Sequence, residues 1–583
     1  GGYAISQSIR FNDDDAGYLS RTPGSDGNLK TWTYSVWFKR SSVVAGTYTL
    51  MSAGADNQND TLFYFGPAGE EGTLDIFFRE SGTIGGRITS FSSSITGGRM
   101  FRDPSAWMHF VLVWDTTNST AGDRLRLYIN GERVTTALGF AITDPSLNDE
   151  SRWNTARANY IGKMRDNATA YFDGYMAEIN FIDGTALTAA SFGETNDEGV
   201  WIPTKYSGAY GTQGFYLKGQ DSSALGDDTS GNGNDFTSSG LAAADQMSDS
   251  PTNNHCTLNS IQQDATGLSD GNLQFTTSST STHKTASGTI AVTSGKWYAE
   301  VTCNATLDSN ARIGIIPDDN DNYTGSDGHV GDDAASFAYV DSGVKESNNS
   351  QSSYGASYAN GDVIAIALNL DDDEVTFYKN GASQGAISIT AGKEYRFAAS
   401  QYNAGGMAFN FGQASFAATP PTGFKALNTD NLATPSIKDG SEYFHSQLYT
   451  GNGSSGLAIT NDANAGDFEP DLLIIGPRSN GDNKVWFDDV RGTTKRIKSN
   501  SSAPGDTDSP AQLTFESDGF DLDTTDVNYN GSGRTYVAWQ WKKGATPGFD
   551  IVEYTGNKTN RTISHSLGVA PEWIVIKDYS NTE

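Results

Sequence analysis

The sequence contains little of what marks several common classes of protein. Among its 583 residues there are two cysteines, Cys256 and Cys303, too few for a scaffold held together by disulfides. Its apolar runs, such as Val363 to Leu368, are far shorter than the ~18 residues that a membrane-spanning helix needs. Positive charge is scarce too, because 39 lysines and arginines stand against 70 aspartates and glutamates, a formal charge of −31. Such a charge repels phosphate backbones and anionic headgroups, so we expect neither nucleic-acid binding nor membrane insertion.

Motifs for several reaction classes are missing as well. The six histidines show no His-x-His or His-Glu-x-x-His spacing, which disfavours zinc chemistry. There is no Gly-x-Ser-x-Gly elbow and no phosphate-binding Gly-x-x-x-x-Gly-Lys loop, so acyl and phosphoryl transfer have no support.

What the sequence does contain is typical of an all-β protein. The 65 glycines and the many Asn, Asp, Ser and Thr residues lie between short apolar runs, a pattern that predicts short strands joined by tight turns. Helical periodicity is scarce. At roughly 100–200 residues per domain, the length predicts three to five domains. We therefore predict serial antiparallel β-sandwiches joined by Gly-, Asn- and Ser-rich linkers.

The first predicted module spans residues 1–205. In Thr31 to Arg40 apolar residues alternate with polar ones, as in a strand with one buried face. Asn130 and Gly131 supply the two positive φ angles of a type I′ hairpin. The order of Trp107, of residues 127–131 and of Gly174 to Ile179 resembles the laminin G-like, concanavalin A-like lectin/glucanase sandwiches, which implies a jelly-roll fold.

Two further segments follow. Residues 206–285 are rich in Gly, Ser, Asn and Asp, which predicts a linker or an ordered strap over neighbouring modules. Residues 286–428 resemble a SPRY sandwich through Gly295 to Val301, Gly361 to Leu368 and Val375 to Gly381. We expect its core to include Trp297, Ile313, Ile364, Ile366 and Phe377, with both faces of the strand at 362–369 buried.

The C-terminal part contains an internal repeat. Tyr449 to Asn452 with Pro470 to Ile475 recurs as Tyr554 to Asn557 with Pro571 to Ile576, which predicts a β-rich repeat module at 429–548 and the start of a second, truncated copy at 549–583.

The whole domain order resembles bacteriophage tail fibre or appendage proteins. That resemblance implies an extracellular location on the virion surface, adhesion to a host cell-surface glycan or protein, and contact with other virion proteins. A non-adhesive virion decoration protein and a polysaccharide depolymerase are the alternatives. We also expect a homo-oligomer, with a trimer favoured, because linked sandwiches form a stiff appendage more readily when several copies share an axis.

One strand could carry glycoside hydrolysis. Related glucanases place catalytic carboxylates in a Glu-x-Asp-x-x-Glu strand, and retaining enzymes need two carboxyl groups about 5–5.5 Å apart. The matching segment here reads Glu178, Asn180 and Asp183. Because Asn180 cannot act as a carboxylate nucleophile, we expect no enzyme activity and no catalytic residue.

Two sets of residues are candidates for binding. Carboxylates at Asp13, Asp14 and Asp15, and at Asp318, Asp319 and Asp321, offer the hard oxygen ligands that suit Ca²⁺, the one cofactor that we consider. Aromatic residues in Gly-rich loops could stack on sugar rings while neighbouring Asn and Asp bind hydroxyls; these are Trp153, Tyr206, Tyr210, Tyr323, Tyr354 and Tyr358.

Overall fold

The structure is a computed structural model. It describes residues 2–44, 46–66, 72–90, 98–167, 169–262, 267–278, 282–304, 307, 310–319, 328–461, 466 and 468–581. These residues form two compact units, one of residues 1–194 and 201–432 and the other of 195–200 and 433–583. Nearly all regular structure is β-strand, which confirms the predicted fold class. None of the described helices is long and apolar enough to cross a membrane.

The first sandwich is built from residues 2–194 and 201–247. Its strands are β1 Ser8–Phe11, β2 Tyr18–Arg21, β3 Thr31–Arg40, β4 Tyr48–Asp56, β5 Asn59–Phe65, β6 Leu74–Glu80, β7 Thr83–Thr89, β8 Met108–Asp115, β9 Leu125–Ile129, β10 Glu132–Arg133, β11 Ala141–Thr143, β12 Asn159–Ile161, β13 Gly174–Asp183, β14 Gly193–Thr195, β15 Trp201–Pro203, β16 Phe215–Leu217, β17 Thr237–Ser239 and β18 Gln246–Met247. Short 3₁₀ turns cover Ala121–Asp123, Thr136–Leu138, Ala189–Ser191 and Ala243–Asp245.

Two sheets enclose the core of this sandwich. The first runs in the order β10-β9-β8-β3-β13-β1-β18, with β16 also on β13, and the second in the order β11-β7-β6-β5-β4-β12-β2-β17. Alternate residues of β3, among them Trp32, Tyr34 and Phe38, are buried between the sheets. The hairpin after β9 turns at Asn130 and Gly131 with φ of +47° and +84°, as the type I′ prediction requires.

The second sandwich has the strands β19 Leu268–Ser269, β20 Gln274–Thr277, β21 Lys284–Ser287, β22 Lys296–Asn304, β23 Arg312–Pro317, β24 Phe337–Val340, β25 Val344–Ser347, β26 Ser350–Ser353, β27 Val363–Asn369, β28 Glu374–Lys379, β29 Ala382–Ser388, β30 Tyr395–Gln401, β31 Gly405–Asn410 and β32 Lys425–Ala426. Its sheets run β19-β20-β31-β22-β27-β28-β29, with β32 on β22, and β21-β30-β23-β24-β25-β26. All five predicted core residues are buried, and β27 is buried on both faces. Cys256 and Cys303 are buried free thiols in this core.

Residues 206–285 contribute strands to both sandwiches. Strands β16, β17 and β18 add to the two sheets of the first sandwich, whereas β19 and β20 add to the second. Four side chains from this segment, Cys256, Leu258, Leu273 and Phe275, lie in the core of the second sandwich. The segment is thus an ordered strap, and the module predicted at 286–428 lacks part of its own sheet and core without residues 256–277.

A buried ion pair fixes the strap against the first sandwich. The Lys39 ammonium donates to the Asp249 carboxylate and to Asn254 Oδ1, the latter at 2.8 Å. The indole N–H of Trp107 donates to the other Asp249 oxygen at 2.9 Å. Both charged side chains are 1% exposed. Each charge is therefore compensated inside the protein rather than by water.

The second unit carries a smaller pair of sheets. Its strands are β33 Phe444–Thr450, β34 Leu457–Thr460, β35 Leu472–Pro477, β36 Val485–Asp488, β37 Lys495–Lys498, β38 Asp506–Thr507, β39 Leu513–Glu516, β40 Gly519–Leu522 and β41 Thr535–Trp541. They form the sheets β33-β41-β35-β36-β37-β38 and β34-β40-β39. Helical turns are Thr429–Asn431 in the first unit, and Gly440–Glu442 and α1 Val527–Asn530 here.

The predicted second copy of the repeat is not a sheet. Within residues 549–581, all of them described, there is no strand, and Trp573 is 83% exposed. In the first copy the corresponding strand β35 lies between β36 and β41. Trp573 to Ile576 have no such neighbours among the described residues, so their backbone forms no ladder.

Candidate functional site

The strand with the candidate carboxylates is irregular at its centre. β13 shifts its register against β3 between Ala177 and Asn180, and Glu178 has a φ of +52°. This bulge turns Glu178 away from the core, which its neighbours Met176 and Ile179 enter. Backbone strain of this kind is costly and clusters at functional sites.

Hydrogen bonds occupy the Glu178 carboxylate. One oxygen accepts from the Tyr216 hydroxyl, and the other accepts from the Tyr3 hydroxyl at 3.2 Å. Glu178 is only 8% exposed, and burial raises its pKa despite these two hydrogen bonds. The carboxylate is thus enclosed by tyrosines and closed to a substrate.

Asn180 and Asp183 hold loops in place. The Asn180 amide donates to the Glu178 carbonyl at 2.8 Å and accepts from the Tyr210 hydroxyl at 2.9 Å. The Asp183 carboxylate accepts from the Asn154 amide at 2.8 Å and from the Gln213 backbone N–H at 2.9 Å. Every polar group of this segment therefore has a structural partner.

An aromatic stack covers the outer face of the same sheet. The His109 ring lies 4.7 Å from the Trp37 ring, and the Trp201 indole N–H donates to His109 Nδ1 at 3.0 Å. Nδ1 therefore accepts, and Nε2 carries the proton that it donates to Ser35 Oγ at 2.9 Å. Burial lowers the pKa of His109 to about 3. The imidazole is neutral at pH 7 and has no contact with solvent through which to act as a general acid.

The predicted Ca²⁺ ligands are not brought together as a metal site. Among the described residues no group of three or more His, Cys, Asp or Glu side chains could hold an ion, and Asp15 accepts from the Asn12 amide at 2.9 Å. Arg396 on the neighbouring strand β30 and Lys393, two residues before that strand, pair with Asp318 and Asp319, respectively. These protein cations neutralise the two carboxylates. The predicted Ca²⁺ site at Asp318 and Asp319 is therefore corrected. Asp13, Asp14 and Asp15 do not form such a group. Asp321 lies outside the described residues.

The predicted sugar-stacking rings divide into three groups. Trp153 and Tyr358 are buried, at 1% and 4% exposure, so the prediction is corrected for both, since neither ring has a face open to a sugar. Tyr206, Tyr210 and Tyr354 are half-buried and pack against other rings. Tyr323 lies outside the described residues.

A different set of rings surrounds a lysine on the outer face of the second sheet. The Lys163 ammonium lies 4.5 Å from the ring centre of Tyr18, 5.4 Å from that of Tyr160 and 5.7 Å from that of Tyr171. We call these four residues the lysine–tyrosine cluster. Tyr18, Tyr160 and Lys163 are partly exposed. Sequence reasoning missed the cluster because Tyr18 lies on β2, far along the chain from Tyr160 on β12, Lys163 and Tyr171.

Comparisons with known proteins agree with the two sandwiches. Residues 13–191 match the concanavalin A-like lectin/glucanases superfamily, residues 296–414 match the SPRY domain, and residues 439–583 match a domain of unknown function, DUF7483. The chain thus contains a concanavalin A-like domain and a SPRY domain.

Three known proteins are similar to parts of the chain. A stretch of 91 residues is 33% identical to the ATP-dependent RNA helicase Ddx1 of Drosophila melanogaster, covering 15% of this chain and 12% of that protein. The SPRY domain of human HERC1 is 16% identical over 24% of this chain and 91% of that one, with a TM-score of 0.22. A heptameric SAP-like pentraxin from Limulus polyphemus is 17% identical over 32% of this chain and 80% of that one, also with a TM-score of 0.22.

Proposed function

We propose that this chain is a non-catalytic adhesion protein, borne as a fibre or appendage on the surface of a bacteriophage particle, and that its concanavalin A-like sandwich binds glycans of the host surface. The observation that carries the binding part is the partly exposed tyrosine pair Tyr18 and Tyr160 on the outer face of the second sheet. Aromatic rings with polar neighbours are the side chains that stack on the apolar face of a pyranose while hydroxyls remain hydrogen-bonded.

The enclosed Glu178 supports adhesion over depolymerisation. A retaining glycosidase needs two carboxyl groups that reach the same glycosidic bond. Glu178 is hydrogen-bonded to Tyr3 and Tyr216, and Asp183 is bonded to loop residues. Neither carboxylate is free to take part in hydrolysis.

Binding of the full chain to immobilised host-surface polysaccharide tests the proposal. We expect Tyr160→Ala to weaken binding about tenfold, because one exposed ring contact is worth roughly 1.4 kcal/mol. Tyr554→Ala, which removes an exposed tyrosine of the other unit, is the matched control and should bind like the parent. Absence of binding would favour a decoration protein, and release of reducing ends that is lost in Glu178→Gln would favour a depolymerase.

The virion location and the trimer are tested separately. Antibodies against this chain should label appendages of intact particles in electron micrographs, and light scattering of the full chain should return three times the 62.3 kDa chain mass. Unlabelled particles contradict the location, and a monomer mass contradicts the assembly.

A further inference from the structure

We propose that the lysine–tyrosine cluster makes the first sandwich selective for acidic saccharides, namely those whose pyranose carries a carboxylate. This inference rests on the proposed glycan binding and adds the chemical class of the ligand. The Tyr18 and Tyr160 rings would contact the sugar ring, and the Lys163 ammonium would bind its carboxylate.

The ammonium of Lys163 has no carboxylate partner among the described residues. Its contacts are the three tyrosine rings, and no ion pair of the described chain includes it. Cation–π contacts hold an ammonium in place without neutralising its charge. An anionic ligand can therefore form an ion pair here without displacing an existing one.

The charge of the whole chain makes such a lysine significant. At a formal −31, the chain repels anionic polymers over most of its surface. Binding of an acidic glycan then requires a local cation that is not already paired with a protein carboxylate. Lys163 meets this requirement beside the partly exposed rings of Tyr18 and Tyr160.

The strand register places hydroxyl groups around the rings. Tyr160 pairs with Ser20 on β2, and Tyr18 pairs with Ser239 of the strap strand β17, whereas the Ser52 hydroxyl on β4 is buried and donates to the Lys163 carbonyl. Paired residues of adjacent strands lie on the same face, and the alternate residues Leu19 and Ile161 enter the core. The outer face thus combines rings, hydroxyls and one ammonium, the groups that a uronic acid residue requires.

A second lysine in the same sandwich also contacts a tyrosine ring, but that ring is buried and a carboxylate lies nearby. Lys218 lies 4.9 Å from the ring centre of Tyr216. That ring is buried, and its hydroxyl is bonded to Glu178, whose carboxylate interacts with the Lys218 charge. Lys218 therefore provides a matched control of the same residue type with the same kind of ring contact.

The test measures binding of the full chain to alginate, polygalacturonate and hyaluronan, each beside its carboxyl-reduced, neutral form. We expect at least one acidic polymer to bind about tenfold more tightly than its reduced form, as one ion pair of roughly 1.4 kcal/mol requires. Lys163→Met and Lys163→Gln should abolish that preference, Lys163→Arg should keep it, and Lys218→Met should keep it. Urea unfolding midpoints equal to that of the parent show that the variants are folded.

The possible outcomes separate the two proposals. If the acidic and reduced polymers bind equally, or if Lys163→Met and Lys163→Gln keep the preference, glycan binding stands and the selectivity of the cluster is refuted. A preference lost equally in Lys218→Met refutes it as well, because general charge then explains the binding. If neither these polymers nor host-surface polysaccharide binds, the proposed function itself fails.

Discussion

Asp249→Asn should destabilise the first unit strongly. The variant removes the carboxylate that compensates the Lys39 ammonium, which is 1% exposed, and leaves it neutral acceptors such as the Asn254 amide oxygen and the His255 carbonyl. Removing one partner of a buried ion pair typically costs about 3–5 kcal/mol, a large part of a domain stability of about 5–15 kcal/mol. The free energy of unfolding, measured in urea by tryptophan fluorescence, should fall by that amount.

Two further variants separate the cost of an uncompensated buried charge from the cost of losing an ordinary ion pair. Lys39→Met combined with Asp249→Asn should recover much of the loss, because no uncompensated charge stays buried and the amide oxygen can still accept from the Trp107 indole. Glu150→Gln breaks the exposed pair with Lys30, in which the nitrogen and oxygen are 3.7 Å apart, and should cost at most about 1 kcal/mol. If Asp249→Asn costs no more than Glu150→Gln, the assignment of a buried, dry ion pair is refuted.

Two other predictions concern the second sandwich. Ile366→Asp places a charge beside Ala299 and Phe377 in a fully buried position. The variant should lose at least several kcal/mol of stability and should no longer show cooperative unfolding of this sandwich. A melting curve like that of the parent contradicts this prediction. Burial would raise the pKa of Glu346, but hydrogen bonds from His329, Arg312 and Gln351 outweigh it and lower the pKa to about 2. Because this folded-state pKa lies below the unfolded value of about 4.3, its contribution is present above pH ~4.3 and is lost as the pH falls towards 2. Unfolding of Glu346→Gln should show a shallower loss of stability over that range, and an unchanged slope argues against the contribution.

Long strands were predictable from the sequence. The alternation in Thr31 to Arg40 and the apolar run in β27 predicted strands that the structure confirms, since a period of two is visible over seven to ten residues. The Asn-Gly hairpins were predictable for a similar reason, because both positions need positive φ. Asn380 and Gly381 repeat the geometry with φ of +48° and +81°.

The pairing of the strap strands and the assembly of the lysine–tyrosine cluster were harder to predict from the sequence. Strands of two to four residues, such as β18 and β20, show no period, so their pairing depends on edges formed by distant segments. Burial of Trp153 against Tyr34 and Phe181 is likewise tertiary. The lysine–tyrosine cluster depends on the pairing of β2 with β12, which brings Tyr18 beside Lys163 and which local spacing does not reveal.

The strap has a consequence for how such a chain can be cut or recombined. Its strands complete sheets on both sides, so neither sandwich can be transplanted at the boundaries of its family match without leaving an unpaired edge. Exchange of either sandwich between related proteins would have to carry the strap along or alter only loops. We expect natural variation in ligand choice to concentrate in exposed face residues such as those around Lys163, where a substitution leaves the shared edges intact.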